Sequence, residues 1–184
     1  YAPGTRERKA LKMQLEKMLR EEIEIPLILG GKEIRTGNLG DCRCPHDHRH
    51  VLARYHQAGP QEIERAVREA RKAWQDWSET DWMFRAAIFQ KAAQLLATKY
   101  RTILNAATML GQSKTVHQAE IDSACELTDF YRFNAYYMNE IYKWQPDSSP
   151  EACNYMDYRP LEGFIFAVTP FNFTSIAGNL PASP

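Results

Sequence analysis

Apolar residues recur at helical spacing from the start of the chain. Leu11, Leu15 and Leu19 fall four apart with charges between them, and Thr5 stands where an N-cap would. This predicts a helix over residues 6–21. The period then changes: residues 23–29 alternate and run into Gly30-Gly31, with Lys32 to Arg35 beyond, the pattern of a β-hairpin with a glycine turn. A third strand is expected over residues 51–57, before Gly59-Pro60 breaks the chain.

From there to about Tyr142 the spacing is helical, in four segments. Ile63, Ala66, Val67, Ala70 and Trp74 form one stripe; Phe84, Ala87, Ile88, Ala92 and Leu95 form another. Ile103, Ala107 and Leu110 form a third, with Gly111 as its expected C-cap. The last segment, residues 115–142, is dense in aromatics. Residues 145–151 hold two prolines and two serines and read as a linker. Strands are expected at 154–159 and 164–168. The second, Phe-Ile-Phe-Ala-Val, reads as one buried on both faces of a parallel sheet. The order predicts an α/β fold: helices and a β-hairpin leading into a Rossmann-like parallel sheet that has only begun.

Composition narrows the function. Of 184 residues, 44% are hydrophobic and 25% charged, as in globular chains, and the formal net charge is zero, so neither nucleic acid nor an anionic membrane is an expected partner. No run approaches the roughly 18–20 apolar residues that span a bilayer, and residues 1–20 lack a secretory h-region. Four cysteines do not make a disulfide scaffold, which points to a reducing compartment. The chain starts at Tyr1 rather than Met and stops at Pro184, just past a strand and the first turn of a helix; it is expected to be a fragment.

Chemistry concentrates after the apolar strand, in Val168-Thr169-Pro170-Phe171-Asn172-Phe173. Ligands of open α/β sheets bind at the carboxyl ends of strands. A carboxamide there, such as that of Asn172, can donate to charge developing on a substrate oxygen. Equally, Asn172 can simply cap the following helix.

This run resembles the strand-end motif of the aldehyde dehydrogenase superfamily. Phe173 and Thr174, with Gly178-Asn179-Leu180, resemble its glutamate γ-semialdehyde (1-pyrroline-5-carboxylate) branch. A second block is similar to the same branch: Gly111 to Val116, Gln118 to Asp122, Glu126-Leu127 and Phe133-Asn134. So are Tyr1, Pro3-Gly4, Glu7-Arg8, Pro45 and His48 near the start.

The resemblance implies an NAD-dependent oxidation of glutamate γ-semialdehyde to glutamate in proline breakdown. It implies that Asn172 is the oxyanion donor and that Val168, Thr169, Pro170 and Phe171 line the NAD cofactor. Phe173 would form part of an aromatic wall around the aldehyde, and Glu126 would sit near the substrate entrance. Residues 1–184 would be the first part of the NAD-binding domain: a helix and hairpin region (1–58), a helical segment (59–145) and the start of the sheet (151–184). The catalytic domain would be absent. The family's cysteine nucleophile, glutamate base and ribose-binding lysine would lie beyond Pro184, leaving the fragment inactive alone. The full-length protein is expected to be a homo-oligomer, cytoplasmic if bacterial and in the mitochondrial matrix if eukaryotic. Another NAD(P)-dependent aldehyde dehydrogenase is the alternative, or a non-catalytic binding module if the chain ends here.

Other features compete for attention. Cys42 to His50 holds two cysteines and three histidines, but it lacks C-x₂₋₄-C spacing and Pro45 interrupts any strand. It reads as a polar loop, with no metal expected. Cys125 reads as a core residue. Trp74, Trp77 and Trp82 read as packing groups, since no basic patch accompanies them.

Overall fold

The computed structural model describes residues 1–183. Helix α1 (Arg6–Arg20) begins where Thr5 Oγ1 accepts from the Arg8 amide, with Glu7 in its first turn and Lys17 and Arg20 in its last. Those charges complement the helix dipole. Leu11 is buried and Leu15 and Met18 are half-buried toward the neighbouring helix, whereas Leu19 points to solvent.

The predicted hairpin is real but shorter. Strands β1 (Ile23–Ile25) and β2 (Leu27–Leu29) are separated by Pro26, which has no amide proton to continue a ladder. Only β2 pairs across the turn with β3 (Lys32–Ile34), Leu27 opposite Ile34 and Leu29 opposite Lys32. Gly30 and Gly31 both have positive φ, 58° and 73°, as a tight two-residue turn between right-twisted strands requires.

Residues 42–50 are not the polar loop that was expected. Strand β4 (Leu39–Cys44) and strand β5 (Asp47–His56) form an antiparallel hairpin turning at Pro45-His46. Cys42 and Cys44 face inward while Arg43 faces out. Proline sits in the turn rather than in a strand, so it does not stop pairing. Strand β1 adds to β5 in parallel, Ile23 opposite Ala53. His56 ties this sheet to the preceding loop. Its Nδ1 accepts from the amides of Thr36 (3.0 Å) and Gly37 (3.1 Å), which places the proton on Nε2, donating to Glu24 Oε1 at 2.9 Å.

Four helical stretches follow among the described residues. Helix α2 (Pro60–Glu79) starts with proline at its first position, and the Gly59 amide donates to Glu62. Helix α3 (Trp82–Ala97) is capped by Asp81, which accepts from the Met83 amide at 2.7 Å. Helix α4 (Arg101–Gln112) ends on Ser113, in the left-handed region at φ 52°, so the expected cap at Gly111 is displaced by two residues. His46 holds Ser113 there, Nδ1 to Oγ at 2.7 Å. The last helical stretch starts at α5 (Val116–Ala119), passes through a π-helical segment (Glu120–Glu126) and continues as α6 (Leu127–Lys143).

Helices α3 and α6 pack face to face through Trp82 stacked on Tyr142 (centroids 5.2 Å apart) and Phe89 edge-on to Tyr131. Small residues let helices approach closely: Ala93, Ala106, Ala119 and Ala124 are buried, with Thr108 and Ser123 sharing a hydrogen bond of 2.6 Å.

The two strands expected at 154–159 and 164–168 are not formed among the described residues. A short bridge pairs Ser149 with Ala152, and Tyr158 donates its hydroxyl proton to the carbonyls ending α6. Trp74 Nε1 donates to the Leu161 carbonyl. Phe166 is 82% exposed and Val168 75%. Such a run needs a strand on each side and a layer on each face; the described residues supply neither. A 3₁₀ turn (Ile176–Gly178) and helix α7 (Asn179–Ala182) end the described chain.

Candidate active site

Two sequence blocks far apart in the chain meet in space. Lys114 sits between the left-handed Ser113 and Thr115, the N-cap of α5, whose side chain accepts from the Gln118 amide while Gln118 reaches back to the Thr115 amide. This reciprocal capping box fixes both flanks of Lys114. Asp122 comes from the π-helical segment, in which three consecutive residues, Asp122, Ser123 and Ala124, are all buried. Each residue of a π-helix turns less than the roughly 100° of an α-helix, which keeps neighbours closer to one face; Ser123 meets Thr108 of α4.

Lys114 and Asp122 face each other at 3.2 Å and together grip residues 172–176. Lys114 Nζ donates to the Asn172 carbonyl at 2.7 Å and lies 4.4 Å from the centroid of the Phe173 ring. Asp122 accepts from the amides of Thr174 and Ile176, each at 3.3 Å. The Asp122 side chain is 3% exposed and that of Lys114 19%. Gln112 donates weakly to the Phe171 carbonyl at 3.5 Å.

Of the residues singled out from sequence, Asn172 and Phe173 lie in this grip, and Val168 to Phe171 lead into it. Val168, Thr169, Pro170, Phe171 and Asn172 are exposed, Phe171 at 95%. Phe173 packs on Lys114. The Asn172 carboxamide makes no hydrogen bond among the described residues, and the next helical turn starts at Ile176 with Ser175 before it. Asn172 is therefore not a helix cap. Glu126 is half-buried at the end of the π-helical segment, and no hydrogen bond or ion pair joins it to residues 168–173 among the described residues. Lys114 and Asp122 were visible only as members of a similar block; nothing in their local spacing marked them as partners of a segment some fifty residues away.

The cysteines divide differently from expectation. Cys44 is buried, its sulfur 3.3–3.4 Å from the ring nitrogens of His46. Cys125 is exposed rather than core, because the π-helical turn shifts the phase of the buried face. Among the described residues, no three His, Cys, Asp or Glu side chains gather as a metal would require.

Comparison with known proteins gives the family. The aldehyde dehydrogenase family matches residues 35–180. The chain is 47% identical, over its whole length, to a probable delta-1-pyrroline-5-carboxylate dehydrogenase of Schizosaccharomyces pombe, covering 34% of that protein. It is 46% identical to a mitochondrial delta-1-pyrroline-5-carboxylate dehydrogenase of Dictyostelium discoideum, again over its whole length and 33% of the relative. It superposes on the crystal structure of the Mycobacterium tuberculosis enzyme of that name bound with NAD, with a TM-score of 0.95 and 46% identity over 99% of this chain and 34% of the other. The chain thus spans about a third of the length of the relatives it matches. On the match over residues 35–180 and the likeness across its whole length, this chain belongs to the aldehyde dehydrogenase family.

Proposed function

We propose that this chain is part of an NAD-dependent oxidoreductase that converts L-glutamate γ-semialdehyde, the open form of 1-pyrroline-5-carboxylate, to L-glutamate. The observation that carries the reading is the juxtaposition of the two similar blocks: Lys114 and Asp122 hold the segment that presents Asn172, whose carboxamide has no partner among the described residues. The likeness to relatives named for this substrate, one of them bound with NAD, supports it.

The exposed segment suits a nucleotide cofactor at Val168 to Phe171 and a substrate oxygen at Asn172. The Thr169 hydroxyl and the Asn172 carboxamide have no internal partner among the described residues, and the chain from Val168 to Phe171 is open to solvent. Val168, Thr169, Pro170 and Phe171 would hold NAD, which when bound accepts the hydride from the substrate carbon. Asn172 donates to the oxygen of the aldehyde as negative charge builds on it. Phe173 and Glu126 shape the path of the substrate chain. The thiolate nucleophile and general base of such a reaction come from outside these 184 residues, so the chain alone is inactive.

In this reading residues 1–58, 59–145 and 151–184 are successive parts of one NAD-binding domain, the partner is a small molecule, and the longer protein assembles with copies of itself. Its compartment is the mitochondrial matrix in a eukaryote, in keeping with the relative named mitochondrial, and the cytoplasm in a bacterium. Steady-state assay of the longer protein tests the substrate. A kcat/KM for glutamate γ-semialdehyde at least tenfold above that for simple aliphatic aldehydes is expected; equal or better turnover of an unrelated aldehyde overturns the assignment.

A further inference from the structure

We infer that Lys114 and Asp122 are positioning residues that set the direction of the Asn172 carboxamide. This rests on the reading of Asn172 as oxyanion donor. Four contacts fall within five residues. Lys114 takes the Asn172 carbonyl and the Phe173 ring, and Asp122 takes the Thr174 and Ile176 amides. The backbone from the Asn172 carbonyl to the Ile176 amide is thereby fixed, and Gln112 holds the Phe171 carbonyl on the other side more weakly, at 3.5 Å, while the Asn172 side chain has no partner among the described residues. Only its two side-chain torsions remain free to aim the amide.

The cost of burying this pair argues for a geometric role. Taking two charges out of water costs more than their attraction returns, unless further hydrogen bonds satisfy them. Here those bonds run almost wholly to the backbone of residues 172–176 rather than to the surrounding helices. The supports of the pair are themselves rigid. Ser113 is held by His46, Thr115 closes a capping box, and Asp122 rides on a π-helical segment locked by Thr108. A donor displaced by about 1 Å can lose on the order of 100-fold in rate.

A double-mutant cycle in the full-length enzyme tests this, reading kcat with glutamate γ-semialdehyde and, separately, the Kd for NADH by fluorescence. Lys114→Met is expected to lower kcat about 10- to 100-fold and Asn172→Ala about 100- to 1,000-fold. The double variant K114M/N172A should be no slower than N172A, because Lys114 acts only through Asn172. Lys114→Arg should recover much of the loss, and NADH affinity should stay within about twofold throughout.

If K114M does not fold, Asp122→Asn, which keeps the shape and one acceptor, takes its place in the cycle with the same expectation. Independent, multiplying losses in the double variant overturn the proposal while leaving Asn172 as the oxyanion donor. An N172A enzyme with unchanged kcat overturns the oxyanion reading itself, and the proposal with it.

Discussion

Gly31 has a φ of 73° and open space where a side chain would go. Replacing it with alanine therefore costs backbone strain and no clash. Gly31→Ala should destabilise by about 1–2 kcal/mol, the left-handed penalty for an L-residue, and Gly31→Asn by less; chemical denaturation measures both. Glu24 gives a pH signature. The hydrogen bond from His56, and then that from Arg35, hold its carboxyl below the ordinary carboxylate value. A lowered folded pKa contributes stability that is complete above the unfolded value, 4.5, and lost as pH falls through the folded one. Glu24→Gln should flatten the acid limb of the stability profile below that pH while leaving the neutral limb parallel to the parent. The glycine turn was legible in the sequence because two adjacent glycines after an alternating run have few other uses. The His56–Glu24 contact was not, since thirty-two residues separate the partners.

The helices were the most legible elements, because amphipathic spacing and capping residues are local signals. Thr5, Thr115 and the Gly59-Pro60 break all mark true helix starts. Thr115→Ala should cost about 1 kcal/mol by freeing the Gln118 amide, and it should also lower kcat of the longer enzyme, since Lys114 loses one fixed flank. A stability loss with unchanged kcat would separate the cap from the site. What local signals could not reveal is where tertiary contacts override them. Pro26 divides an apparently continuous strand, the π-helical segment turns Cys125 outward, and Ser113 rather than Gly111 takes the left-handed position. The apolar run at 164–168 has the composition of a buried strand, but with no neighbour to pair with among the described residues it forms no ladder.

For the molecule as a whole, the same mismatch predicts behaviour. Phe164, Ile165, Phe166 and Val168 are exposed in one segment, and Phe133, Tyr136, Tyr137 and Trp144 in another. Apolar surface on that scale marks a docking face or an aggregation liability. Residues 1–184 expressed alone should bind a hydrophobic dye strongly and self-associate, whereas a monomer with a sharp cooperative melt would contradict this. The candidate site was legible in part. Asn172 and its neighbours stood out through their motif, while the Lys114–Asp122 grip that orders them emerged only from three-dimensional contact. The most direct test is kcat of the Asn172→Ala variant of the full-length protein with glutamate γ-semialdehyde and NAD. A fall of about 100- to 1,000-fold, with NADH affinity unchanged, is the predicted result. A kcat within about twofold of the parent, well short of the loss expected for an oxyanion donor, would contradict it.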